Sequence, residues 1–185
     1  MHYHIVKMLV DRVRLLWIAA IAMNFATYTI AGGPPENLSQ LIERNIGFDV
    51  ANASTVACVR ATIHSRSESS REVPNRHVPG QVDHIVSLTD GAGVKVVASV
   101  NPDGRAFVQQ ATITSRSLKL PLGFQIGQTS LDDVHRTLGR GEQIERAGAA
   151  IAEQYSGGIG YEVIVLVWFD ARQHLAGIEW QFPLD

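Results

Sequence analysis

A chain of 185 residues, 45% hydrophobic and 18% charged, has the composition of a folded globular protein with room for one ordinary domain or two small ones. Its 16 basic and 18 acidic residues leave a formal net charge of -2, which excludes the broad electropositive field that holds a phosphate backbone, so nucleic acid is not an expected partner. Cys58 is the single cysteine, which excludes an intrachain disulfide and a multi-thiolate metal site.

Lys7, Arg12 and Arg14 precede the apolar run Leu15-Leu16-Trp17-Ile18-Ala19-Ala20-Ile21-Ala22-Met23, and Thr29-Ile30-Ala31 supplies small residues before Gly32. That order predicts residues 1–31 as a secretory signal peptide cleaved near Ala31, which places the mature protein in the periplasm or outside the cell. Asn24 interrupts the run, and the alternative is an uncleaved anchor in the inner membrane, the one route to membrane contact. Gly32-Gly33-Pro34-Pro35 breaks any helix leaving this segment, and Leu38, Leu41 and Ile42 then recur at helical spacing. Between residues 55 and 63, Ala57, Val59, Ala61 and Ile63 alternate with Cys58, Arg60 and Thr62, a pattern that predicts a half-buried strand. Residues 65–81, rich in Ser, Arg, Glu and Pro, read as a solvated loop.

Residues 82–89, 94–100 and 105–115 predict three strands of an antiparallel meander. Asp90-Gly91-Ala92-Gly93 and Asn101-Pro102-Asp103-Gly104 are the turns between them. Pro121 marks a crossing segment. Residues 126–139 predict a short helix: Thr129 or Ser130 caps it, Asp132 and Asp133 complement its positive end, Leu131, Val134 and Leu138 form its apolar stripe, and Gly139 ends it. Residues 142–146 and 150–155 predict short strands before a Gly-rich turn, and residues 161–169 and 175–182 predict a strong hairpin. A four-residue loop from Asp170 to Gln173 sets Val165 opposite Ile178, Val163 opposite Trp180 and Tyr161 opposite Phe182. One face of that hairpin is then almost wholly apolar, and the capped helix is expected on it. The other face carries Glu162, Ile164, Leu166 and Trp168 opposite Gln181, Glu179 and Gly177, half apolar and half polar, and needs another cover.

The pattern Ile126-Gly127-Gln128-Thr129-Ser130-Leu131-Asp132-Asp133-Val134, closing on Leu138-Gly139 and followed by a sheet ending in Ile178-Glu179-Trp180-Gln181-Phe182, resembles the small exported domains of the outer-membrane assembly lipoprotein BamE and the β-lactamase-inhibitor-protein fold. The matching positions are Gly127, Thr129, Asp132, Val134, Leu138 and Gly139, and the resemblance spans about the last third of the chain. It implies a helical segment packed on one face of a meander. Residues 82–115, with the helix near Leu38 before them, have the layout of a second such unit, as in two-repeat inhibitor proteins, although the two halves share little residue by residue.

Chemistry is sparse. Gly157-Gly158-Ile159-Gly160 lacks the Lys and amphipathic helix of a phosphate loop, and no Gly-x-Ser-x-Gly elbow or His-Glu-x-x-His pair occurs. His64, His77 and His84 have no acidic ligand at matching spacing, and His135 beside Asp132 reads as a surface ion pair. Asp170, Glu162 and Glu179 read as solvated carboxylates. No catalytic residue, metal or cofactor is therefore expected. The fold class expected is α+β, with short helices packed on antiparallel meander sheets in two subdomains, residues 36–116 and 120–185. The function expected is a non-enzymatic, exported module of the bacterial cell envelope that binds an envelope or periplasmic protein through a sheet face. Trp168, Leu166, Ile164, Glu162, Glu179 and Gln181 are the candidate contact residues, with Trp168 either an interface anchor or a plug between subdomains. The alternatives are a periplasmic immunity or inhibitor protein and a small envelope hydrolase.

Overall fold

Backbone pairing joins the two halves of the chain into one antiparallel sheet. The computed structural model describes residues 36–43, 55–75, 78–157 and 162–183; the predicted export signal, Tyr161 and most of the Gly-rich turn lie outside them. In chain order the strands are β1 (Ser67–Pro74), β2 (Val82–Thr89), β3 (Val94–Val100), β4 (Ala106–Ile113), β5 (Glu142–Gln143), β6 (Ile151–Gly157), β7 (Val163–Phe169) and β8 (Leu175–Gln181). Their order across the sheet is β1-β2-β3-β4-β8-β7-β6-β5, so two four-strand meanders meet where β4 pairs with β8. Three short helices, α1 (Glu36–Glu43), α2 (Val56–Thr62) and α3 (Leu131–Leu138), and a single 3-10 turn (Pro121–Gly123) complete the described residues. The α+β expectation is thereby corrected. The protein is mainly β, one continuous eight-stranded sheet with a small helical part, because the ladder runs unbroken from one meander into the other.

The described helices all serve one face of that sheet. Leu38 and Leu41 of α1, Val59 of α2 and Val134 and Leu138 of α3 share a single core with alternate strand residues such as Val96, Val165, Ile178 and Trp180. Trp180 is fully buried and its Nε1 donates to the Leu41 carbonyl at 3.2 Å, which ties α1 to the centre of the sheet. Asn37 Nδ2 donates to the Thr137 carbonyl at 3.0 Å and links α1 to α3.

The capped helix forms as its sequence dictates. Ser130 Oγ accepts the Asp133 N–H while the Asp133 carboxylate accepts the Ser130 N–H, a reciprocal capping box. Hydrogen bonds from Ser130, with Arg136 adding to them, hold the Asp133 carboxyl below its ordinary pKa. Backbone bonds from Leu131 N to Gln173 O (2.9 Å) and from Leu175 N to Thr129 O (2.8 Å) fasten the start of α3 to the β7–β8 turn.

Three local expectations are overturned. Residues 56–62 are α2, not a strand. Thr55 Oγ1 accepts the Cys58 N–H as an N-cap, and the two buried residues, Val59 and Ile63, stand one helical turn apart, a spacing that the alternation of small and polar residues concealed. The solvated loop contains β1, an edge strand in which Val73 alone is not fully exposed. Its ladder to β2 needs only backbone groups, and its charged side chains are those of a protected sheet edge. In the β7–β8 hairpin Val165 pairs with Trp180 and Val167 with Ile178, two residues away from the expected register, because the connection before Leu175 is one residue longer than expected and a bulge at Trp168/Phe169 adds another. A slip of two keeps every side chain on its expected face, so the division into an apolar and a mixed face stands.

The β2–β3 turn uses both kinds of residue its sequence offers. Asp90 Oδ1 accepts the N–H groups of Ala92 and Val94, each at 2.8 Å, and Gly93 has φ +116°. A Cβ at Gly93 would lie 2.6 Å from the Ser115 nitrogen, so only glycine fits.

Candidate functional site

The other face, free of helices among the described residues, is built by the strand positions that alternate with the core. On β8 these are Gly177, Glu179 and Gln181; opposite them on β7 stand Trp168, Leu166 and Ile164. Trp168 lies flat across Gly177, where an added Cβ would come within 2.1 Å of the ring. The Arg146 guanidinium, from the segment after β5, sits 3.8 Å from the centroid of the same ring and donates to Glu179 Oε2 at 2.9 Å. Glu179 is 3% exposed and also accepts from Gln181 Nε2 at 2.8 Å and from Thr112 Oγ1 at 3.4 Å, and Gln110 Nε2 donates onward to Thr112 Oγ1 at 3.2 Å. A buried carboxylate with a guanidinium partner and filled lone pairs is tolerated, whereas a solvated one had been expected at this position.

The six candidate contact residues therefore divide. Trp168 and Leu166 are buried, and the cover over Trp168 comes from Arg146 of the same chain. Glu179 is buried in its ion pair, Ile164 and Gln181 are half-buried, and Glu162 is exposed. What remains accessible is a strip along Ile164 and Gln181 beside a rigid Trp–Arg–Glu platform. Gly177→Ala is expected to force the Trp168 ring off its seat and to cost about 1–3 kcal/mol, the range of overpacking substitutions. Urea denaturation with near-ultraviolet circular dichroism measures it, and a variant within about 0.5 kcal/mol of the parent would mean that the ring is not locked.

Two features escaped sequence reasoning. On the helix-bearing face, His135 Nε2 donates to Glu153 Oε1 at 2.7 Å, the Tyr155 hydroxyl donates to Glu153 Oε2 at 2.7 Å while lying 3.1 Å from the Gly139 carbonyl, and the Gly141 N–H reaches Glu153 Oε2 at 3.3 Å. His135 is thus no partner of Asp132; its side chain is 16% exposed and turned inward. Burial pushes the Glu153 pKa up, but the bonds from Tyr155, His135 and Gly141 together outweigh it and hold the carboxyl below its ordinary value. Burial, with the Glu153 carboxylate alongside, pushes the Tyr155 phenol far above its own. The available signal was the two-residue spacing of Glu153 and Tyr155, which puts both on one face of β6.

The second feature is an open groove of about 880 Å³ at the other end of the helix-free face, floored by Ile85, Ser99, Phe107 and Gln110 and flanked by Arg71 and Gln181. Phe107 is 44% exposed there. Its position between buried Ala106 and Val108 was the signal, since alternation sends it to the face opposite the core. Among the described residues no group of three His, Cys, Asp or Glu side chains converges, and His77 lies outside them.

No protein-family model matches the chain, and no curated protein matches it either. Among solved structures the chain is similar to a DUF4309 family protein, YjgB, from Bacillus subtilis subsp. subtilis str. 168, at a TM-score of 0.40 and 13% identity, over 71% of this chain and 80% of that one.

Proposed function

We propose that this protein is an exported, non-enzymatic binding module of the bacterial cell envelope that engages another envelope or periplasmic protein through the helix-free face of its sheet. The observation that carries the reading is the asymmetry of the sheet: the described helices all pack on one face, while the other keeps Ile164 and Gln181 half-exposed beside the Trp168–Arg146–Glu179 platform. Binding surfaces of this kind combine a rigid aromatic and arginine base with adaptable polar groups at its edge. The order of basic, apolar and small residues in positions 1–31 supports export, and the resemblance of residues 126–182 to BamE and β-lactamase inhibitor proteins agrees with a binding role in the same compartment.

Photo-crosslinking tests this reading. A photoreactive residue at Ile164 or Gln181 is expected to give one discrete adduct in cells of the producing bacterium, while the same group at exposed Arg140 gives none. Adducts of equal yield at all three positions, or none at any, would overturn the assignment of this face.

A further inference from the structure

The groove at the β1–β4 end of the helix-free face has a chemistry of its own. Its floor is the Phe107 ring, 44% exposed, next to Ile85, and its polar side chains are mainly neutral amides and a hydroxyl: Gln109, Gln110, Gln181 and Ser99. The two formal charges, Arg71 and Asp83, cancel. Much of this hydrogen-bonding capacity is unused within the protein. Among the described residues the side chains of Ser99, Gln109 and Arg71 bond to no protein group, and Gln110 and Gln181 each donate a single Nε2 hydrogen, to Thr112 and Glu179. An amide that has given one hydrogen keeps a second donor and an acceptor oxygen.

We propose that this groove is a binding site for a neutral oligosaccharide. A pyranose ring presents an apolar C–H face that stacks on an aromatic ring and a rim of hydroxyls, each both donor and acceptor, which amides and hydroxyls satisfy at once. Phe107 supplies the stacking surface; Gln110, Gln181, Ser99 and Arg71 supply the rim. An added peptide strand would take its hydrogen bonds from a sheet edge, whereas the β2 and β3 backbone at the middle of this groove is paired on both sides, so recognition there falls to the side chains. An anion would gain from Arg71 and lose to Asp83. The volume, about 880 Å³, lies within the roughly 300–1,000 Å³ of small-ligand clefts. The groove shares Gln181 with the partner surface but not Ile164, and because its test reads Phe107 it stands or falls independently of crosslinking at Ile164.

Saturation-transfer NMR on the full chain with cellotetraose, maltotetraose and chitotetraose, each at millimolar concentration, tests the proposal, with tetragalacturonate and an acetylated tetra-alanine amide as the anionic and peptide comparators. Transfer is expected to the ring C–H protons of at least one neutral tetrasaccharide. Affinity for it should fall by about tenfold or more in both Phe107→Ala and Phe107→Leu, the latter keeping apolar bulk without a ring face, and should persist in Lys95→Ala on the same sheet face outside the groove. No transfer to any of the three neutral sugars, transfer confined to tetragalacturonate or to the peptide, or undiminished binding by Phe107→Leu would each overturn it.

Discussion

Trp180→Ala is expected to remove about 3–5 kcal/mol of folding free energy, among the largest effects available to one substitution in this chain. Trp180 is 0% exposed near the end of β8, between Val165 of β7 and Ala111 of β4, where the two meanders join. Truncation opens a cavity under all the strands that hold the halves together, and it deletes the Nε1 bond to Leu41 that seats α1. Trp180→Phe separates the two contributions: it retains most of the ring and forfeits the hydrogen bond, for about 1–2 kcal/mol. Urea denaturation of both variants is the measurement. Since single domains are stable by only about 5–15 kcal/mol, the alanine variant should forfeit a large share of the total. A loss under about 1 kcal/mol would show that the junction relaxes around the missing ring.

His135→Ala should cost about 2–3 kcal/mol at neutral pH, much more than a surface histidine, because it leaves the buried Glu153 carboxylate short of a charge-assisted hydrogen bond. The same network predicts a pH dependence whose sign follows from Glu153. Its folded pKa lies below the ordinary value of 4.5, so its contribution is present above pH 4.5 and is lost as the pH falls through 4.5 toward the lower folded value. Asp133 is also held low, and Asp170 is held low chiefly by the backbone N–H of His174, with that of Arg172 adding to it against desolvation, so the parent loses stability in acid for several reasons at once. Comparison with Glu153→Gln isolates this one: between pH 7 and pH 3.5 the urea midpoint of the parent should drop further than that of the variant. Parallel pH profiles would mean that Glu153 is no better bonded folded than unfolded.

Much of the architecture follows from local rules. The Ser130/Asp133 capping box, the Gly139 stop, the Asp90 and Asn101 turns and the alternation in β2, β3, β4, β7 and β8 each depend on residues within a few positions of one another, and sequence periodicity records such interactions directly. The division of the β7–β8 hairpin into an apolar and a mixed face was legible for the same reason, and it survived a wrong register because side-chain direction has period two.

Tertiary structure decided the rest. Whether residues 56–62 become helix or strand turns on which pair, Val59 and Ile63 or the alternating alanines, finds a surface to bury against, and that surface lies on β3 and its neighbours. The strand character of residues 67–74 comes from a free edge on β2, which the polar side chains of β1 do not advertise. The join of β4 to β8 brings residues about 70 positions apart into register and turns two meanders into one sheet; no local pattern encodes it. For the same reason the sequence shows at most which face Glu153, Tyr155 and Phe107 take, while Arg146 over Trp168, His135 beside Glu153 and the groove around Phe107 are assembled from strands and loops that only the folded sheet makes neighbours. Short-range hydrogen bonding and alternation determined the elements and their faces, while long-range burial and pairing determined which residues form a site.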